Sequence, residues 1–392
     1  MTVLDPIAFE KHKSELVSKI AYNHKYFESS SAFFDRILAK TVVPYQVEVQ
    51  PGRLKGRALC WMECSYCYGG SSKNTGERLS PERYLDIMRQ MANGPHGGVK
   101  KIIFAGYATD PLNYEHIDDL AEVAIDQGQV VGFHTKLLRV SDRLVKMLAS
   151  AQTPIDSYVT VSVDAGSAET YNKVHSIEST KDIYARVLAN IKRLTDATRA
   201  SESTLDVTAN YLVTRVNADP QIAARAIRDI SDAGAAVIRF SFPQVPRGMQ
   251  DEGDSIIPTR AEIAEMYAKL KPVVDAHQNG SARVMLLDVD GERRFEQRRT
   301  LPCFARFIYP TIAYDGYLSN CSQSGAPHFR DMALGNLAER DFWDAFYDYD
   351  ADEFPAFLER QHKKMNAADC RCDRKEHTVN SQLRDDAHRR FG

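Results

Sequence analysis

The stretch CWMECSYCYGG sets Cys60, Cys64 and Cys67 at a C-x3-C-x2-C spacing. With seven cysteines in 392 residues, that spacing arises by chance about 0.002 times per chain, so the three thiols read as a ligand set. Three thiolates on one tight loop suit a 4Fe-4S cluster that leaves one iron without a protein ligand, and an open position lets a metal bind a substrate directly. The alternative is zinc on three cysteines and a distant histidine, but zinc loops pair their cysteines in twos. The other four cysteines, Cys303, Cys321, Cys370 and Cys372, lie far downstream. An odd total divided in this way points to metal or redox chemistry before disulfides.

Ligands on a loop need rigid elements to hold them, and the chain alternates two kinds. Short β-branched or apolar runs at 43–49, 99–105, 129–135, 157–163, 204–213 and 236–242 read as strands, with segments of helical period between them. Ser80 before Pro81 is a helix start, and Ile222, Ala226, Ile227 and Ile230 line one face of a helix that Gly234 closes. Six such alternations imply an α/β fold with a parallel sheet and crossover helices, whose chemistry gathers at the C-terminal strand ends. The pattern divides the chain into a helical lead-in (1–40), a strand and helix domain (41–250), a connecting helix (251–282), a small α+β domain (283–376) and a polar tail (377–392).

The cysteine motif after a first strand, with Tyr66 directly before the third cysteine, resembles the radical S-adenosylmethionine (SAM) superfamily, over residues from about 42 to 375. The resemblance implies a partial (βα)6 barrel of the TIM type, SAM chelating the open iron, and Tyr66 beside the adenine. It implies that the turn in KIIFAGYATDPL offers backbone carbonyls to the SAM amine. Ala105, Gly106, Tyr107 and Ala108 stand there in place of the family's Gly-Gly-Glu, and Asp110 either substitutes for the missing Glu or starts a turn. In GFHTKL, Lys136 is a candidate for the SAM carboxylate, and His134 either faces the substrate or is structural. The run YVTVSVDAGSAETYNKVH resembles the family's ribose-binding strand and puts Ser162 and Asp164 beside the SAM hydroxyls. Strands five and six contribute Asn210, Tyr211, Arg215, Arg239 and Ser241. Tyr211 and Arg239 are candidate catalytic residues and Arg215 a cofactor contact, with register unfixed.

Cys303, then Gly316 and Cys321, then LGNL and the pair Cys370 and Cys372, resemble the auxiliary-cluster domains called SPASM and twitch, the latter as in aminocyclitol dehydrogenases. Four cysteines fit one auxiliary 4Fe-4S cluster, and the C-x-C ending departs from the family's C-x2-C. Structural zinc on the same thiols is the alternative. A cluster saturated by four thiolates is suited to electron transfer, and a three-plus-four division leaves no spare thiol to return a hydrogen atom.

The rest of the composition narrows the partners. Lys plus Arg is 50 against 53 for Asp plus Glu, which favours a small-molecule substrate over nucleic acid or an anionic membrane. No signal-peptide order or long apolar run is present, so the reading is cytoplasmic. Arg53, Lys55 and Arg57 before the cysteine loop are either a docking patch for a flavodoxin or ferredoxin or a solvated strand. The expected activity is cleavage of SAM to a 5′-deoxyadenosyl radical and hydrogen abstraction from a sugar, aminocyclitol or nucleoside, leading to dehydrogenation. Dehydration or decarboxylation, maturation of a ribosomal peptide, and a non-enzymatic iron-sulfur carrier are the competing outcomes.

Overall fold

The computed structural model describes residues 29–54, 60, 62, 64, 66–67, 77–107, 109–178, 182–243, 256–278, 280–287, 303–370, 372 and 374–391. Helix α1 (Ser30–Leu38) precedes strand β1 (Gln46–Val49). The chain then alternates through α2 (Pro81–Ala92), β2 (Lys101–Phe104), α3 (Ile117–Asp126), β3 (Val130–Thr135), α4 (Asp142–Leu148), β4 (Tyr158–Ser162), α5 (Ala168–Val174), α6 (Ile183–Ala200), β5 (Asp206–Leu212), α7 (Pro220–Asp232) and β6 (Val237–Ser241). All six expected strands are present, and the helix starts have the expected chemistry. The Ser80 side chain accepts from Arg83 N–H with Pro81 in the first turn, and Asp219 caps α7 in the same way.

Strands β1 to β6 pair in parallel in sequence order, the sheet of a partial barrel. Alternation sorts the side chains. Val131, Phe133, Val159, Val161, Val207, Ala209, Ile238 and Phe240 are buried, each at or below 4% exposure. The intervening His134, Thr160, Ser162, Asn210, Arg239 and Ser241 occupy the opposite, inner face and stay at least partly exposed. Register aligns that inner row: His134 lies beside Thr160, Ser162 beside Asn210, and Asn210 beside Arg239. Gly132 is required within it, because a Cβ there would stand 2.6 Å from the Tyr158 ring.

Two features depart from the division drawn from sequence. After α8 (Arg260–Ala276), which opens on a capping box of Thr259 and Glu262, strand β7 (Arg283–Leu286) extends the parallel sheet beyond β6. Strand β8 (Thr311–Ile312) pairs in parallel with β1, and β9 (Tyr317–Ser319) and β10 (Gly335–Asn336) add to it antiparallel. The C-terminal region therefore continues the barrel sheet at both edges. The polar tail, whose composition allows a surface helix or poor order, is most of a helix, α11 (Arg374–Phe391), which follows α9 (Phe342–Phe346) and α10 (Phe354–Ala367). Its Val379, Leu383 and Ala387, four residues apart, are buried, and Phe391 meets Phe34 of α1 edge-on at 5.2 Å. Among the described residues no helix is long and apolar enough to cross a membrane.

Candidate active site

The first cysteine loop lies beyond the C-terminal end of β1. The N–H of Cys67 donates to the carbonyl of Cys64 at 2.9 Å, which closes a turn between the two cysteines. Burial pushes the Cys64 thiol up to about 11, with Lys136 pulling the other way, and burial raises Cys60 as well. Cys67 adds to the rise at both Cys60 and Cys64. Among the described residues no three His, Cys, Asp or Glu side chains converge on one point as the ligands of a single ion would. A 4Fe-4S cluster takes its thiolates on separate irons, and three soft thiolates fit it.

Behind this loop sits a polar knot tied from three strand ends. Asp164, just past β4, is 1% exposed and adopts φ +55°, a left-handed conformation that Asp tolerates. Its Oδ1 accepts from Leu212 N–H at 2.7 Å, and its Oδ2 accepts from the Tyr66 hydroxyl at 3.0 Å and the Lys136 ammonium at 2.8 Å. Lys136 donates also to the Tyr66 oxygen at 2.7 Å. Burial works against the Lys136 charge, but Asp164 and Cys64 outweigh it and hold the ammonium above the ordinary lysine range. Asn217, fully buried, closes the knot by donating to the carbonyls of Asp164 and Leu212, both at 2.8 Å. The imidazole of His175, at the C-terminal end of α5, completes it, with Nδ1 3.0 Å from the Tyr66 oxygen and 3.4 Å from Cys64 Sγ.

These contacts reassign several residues. Asp164 and Lys136 satisfy each other, and a carboxylate 1% exposed with three donors on it has no open face for ribose hydroxyls. Tyr211 is not catalytic: fully buried on the helix side of β5, it donates to the carbonyl of Asn217 at 2.8 Å and stacks on Phe240. Arg215 is not turned to a cofactor, since its guanidinium grips the Glu262 carboxylate in α8 through Nε at 3.0 Å and Nη2 at 2.8 Å. Asp110 is the turn initiator, capping Leu112 N–H at 3.0 Å and accepting from Thr135 Oγ1 and Lys136 N–H.

Other candidates remain on the inner face. His134 Nε2 lies 2.9 Å from the Tyr158 hydroxyl, and Lys101 stands over the Tyr158 ring. Arg239 Nε and the Ser241 hydroxyl both donate to Asn210 Oδ1, at 3.2 and 3.3 Å. Ser162 is partly exposed in the same row. Gly106 marks a close approach, because a Cβ there would lie 1.8 Å from the Thr109 carbonyl. Ala108, Lys55 and Arg57 lie outside the described residues.

Cys303, Cys321 and Cys370 are buried together with Ala305, Ala326, Phe329, Met332 and Met365. Burial pushes the Cys321 thiol well above the usual thiol range, with Glu376, Cys370 and Cys303 adding to it. Cys372 Sγ accepts from Asn380 Nδ2 at 3.6 Å, and Asn380 Oδ1 accepts from Phe304 N–H at 2.8 Å, which links the last cysteine to the neighbour of the first. Three buried thiols with the half-buried Cys372 beside them could hold a 4Fe-4S cluster, which takes its thiolates on separate irons. Tyr107 reaches toward both groups: it packs against the Cys303, Cys321 and Cys370 cluster, and burial first, then Cys67 and Tyr314, push its phenol up to about 12.

Residues 58–220, which include Cys60, Cys64 and Cys67, match the profile of the Radical SAM superfamily, whose members use a 4Fe-4S cluster and SAM. The fold resembles Streptococcus suis SuiB bound to S-adenosylmethionine, with TM-score 0.56 and 13% identity, covering 88% of this chain and 78% of that one. It also resembles SuiB bound to the precursor peptide SuiA, with TM-score 0.55, 13% identity and coverages of 81% and 69%. Native anSMEcpe with bound AdoMet gives TM-score 0.53 at 12% identity, covering 89% of this chain and 98% of that one. At these identities the likeness is one of fold. No curated protein matches the chain.

Proposed function

We propose that this chain is a radical SAM enzyme that dehydrogenates a small polar metabolite and passes the released electron to an auxiliary cluster on Cys303, Cys321, Cys370 and Cys372. When bound, the first cluster and SAM supply a 5′-deoxyadenosyl radical that takes a hydrogen atom from the substrate, and the auxiliary cluster supplies an acceptor for the next electron. The observation that carries this reading is Tyr107, whose ring packs on the second cysteine group while its phenol feels Cys67 of the first. Arg306 supports it further. This guanidinium is 2% exposed, stacked among Phe307, Tyr349 and Phe357 and close enough to Cys303 to feel its charge. A buried cation there favours an anionic group at the thiols.

The inner-face residues orient the substrate. Asn210 fixes Arg239 and Ser241 on one wall, and Tyr158 fixes His134 on the other. Dehydrogenation would remove a hydrogen atom from carbon, an electron for which the auxiliary cluster would be the acceptor, and the hydroxyl or amine proton, which the His134 imidazole would take, closing the balance at a carbonyl or imine. A second reading, peptide modification, draws on the shared fold with SuiB bound to the peptide SuiA. Flavodoxin or ferredoxin is the proposed reductant.

The test is anaerobic reconstitution with a chemical reductant, SAM, and a panel of polyols, aminocyclitols, nucleosides and short peptides. Stoichiometric 5′-deoxyadenosine with a ketone or imine product supports dehydrogenation. A modified peptide supports the second reading, and reduced protein that never releases 5′-deoxyadenosine is an electron carrier instead.

A further inference from the structure

His175 lies in the turn that ends α5, with its side chain fully buried and its ring 4.2 Å from that of Tyr171. Its Nδ1 is 3.4 Å from Cys64 Sγ and 3.0 Å from the Tyr66 oxygen. The surrounding donors and acceptors decide which nitrogen carries the proton. Asp164 accepts only, so the Tyr66 hydroxyl gives its one proton to Asp164 Oδ2 at 3.0 Å. Lys136 donates only, so the Tyr66 oxygen receives from it at 2.7 Å. The remaining lone pair of Tyr66 and the sulfur of Cys64 both face Nδ1, and both are acceptors once Cys64 is a thiolate on iron. Nε2 stands 3.8 Å from Asp164 Oδ2, beyond hydrogen-bond reach. The Val163 carbonyl also lies near the ring, yet Nε2 completes no hydrogen bond among the described residues.

We propose that His175 carries that proton on Nδ1, donates it to the Cys64 thiolate, and so sets the reduction potential of the cluster on Cys60, Cys64 and Cys67. His175 is a positioning residue, acting through a ligand and touching neither SAM nor substrate. The inference rests on the radical SAM reading and adds to it a determinant of when the cluster accepts an electron. A hydrogen bond to a cluster thiolate favours the more negative, reduced state, so losing it makes reduction harder.

The test uses the full chain, reconstituted anaerobically and titrated with reductant, following the EPR signal that changes when SAM is added. His175→Phe keeps the ring and removes both nitrogens; His175→Gln keeps an N–H donor. With iron content unchanged, His175→Phe is expected to lower the reduced fraction at a fixed solution potential by about tenfold, and His175→Gln to recover most of it. An unmoved fraction in His175→Phe, or an equal loss in both variants, overturns the proposal. Wild type labelled with 15N-histidine covers the case in which the variants fail to fold. Pulsed EPR of the reduced cluster is expected to show a weakly coupled 15N and an exchangeable proton, and the absence of either overturns the inference. Wild type that takes up no iron at the first site overturns the radical SAM reading, and the inference with it.

Discussion

The two cysteine groups are held in opposite ways. The first lies on a loop backed by charge: Asp164 and Lys136 at two strand ends, Tyr66 on the loop itself and His175 at a helix end bond to one another. The second lies in an apolar pocket of Ala305, Ala326, Phe329, Met332 and Met365, its thiols drawn from separate parts of the chain. Under the proposed function the first group would sit at the cosubstrate, where the polar knot would hold its loop, and the second would only store an electron, which a buried setting would serve.

The largest expected effect separates the groups directly. Cys64→Ala should abolish 5′-deoxyadenosine release while the second site keeps its iron. Cys303→Ala with Cys321→Ala should lose the second site's iron and substrate oxidation but still cleave SAM. Iron assay and chromatography check both, and loss of SAM cleavage in the double variant would merge the two roles.

Next comes the polar knot. Asp164→Asn leaves the Lys136 ammonium buried beside a neutral amide, and removing one partner of a buried pair costs about 3–5 kcal/mol. Urea denaturation of the iron-free chain measures it, and a cost below about 1 kcal/mol would mean that the knot does not hold the loop. Tyr211→Phe should be milder, about 1 kcal/mol for one buried hydrogen bond, with turnover preserved. A catalytic tyrosine would lose turnover without that stability change.

The smallest effect lies at the rim. Arg215 first, then the Thr259 N–H and hydroxyl, hold Glu262 down at about 2. A carboxylate depressed in the folded state contributes stability above its unfolded pKa and loses it as pH falls through the folded one, here between about 4.5 and about 2. The pair is partly exposed, so Glu262→Gln should cost well under 1 kcal/mol at pH 7 and nothing below pH 2. SAM affinity should not change, and a weaker SAM complex in this variant would return Arg215 to the cofactor.

Much of this was legible in the sequence because the barrel strands announce themselves locally. Each is a β-branched run between helix caps, and the cysteine spacing stands out at any register. What could not be read depends on geometry through space. Asp164 looked like a free strand-end carboxylate, and only its left-handed backbone turns it back onto Lys136 and Tyr66. Asn217 and His175 gave no signal, each being a single polar residue whose partners are distant in sequence. Strands β7 and β8, four and two residues long, are too short for a period to show. The buried stripe of Val379, Leu383 and Ala387 has helical spacing, but it is one residue wide in a highly charged segment and its composition hid it.

The pairing of β8 with β1 bears on how the chain is made. Strand β1 leaves the ribosome well before its second hydrogen-bonding neighbour, Thr311–Ile312, which is synthesised more than 250 residues later. Throughout that interval a growing barrel presents an open strand edge, the kind of surface that pairs with other chains. Truncation before residue 311 would make the interval permanent, so expression of residues 1–310 alone should yield aggregated protein even with Cys60, Cys64 and Cys67 in place.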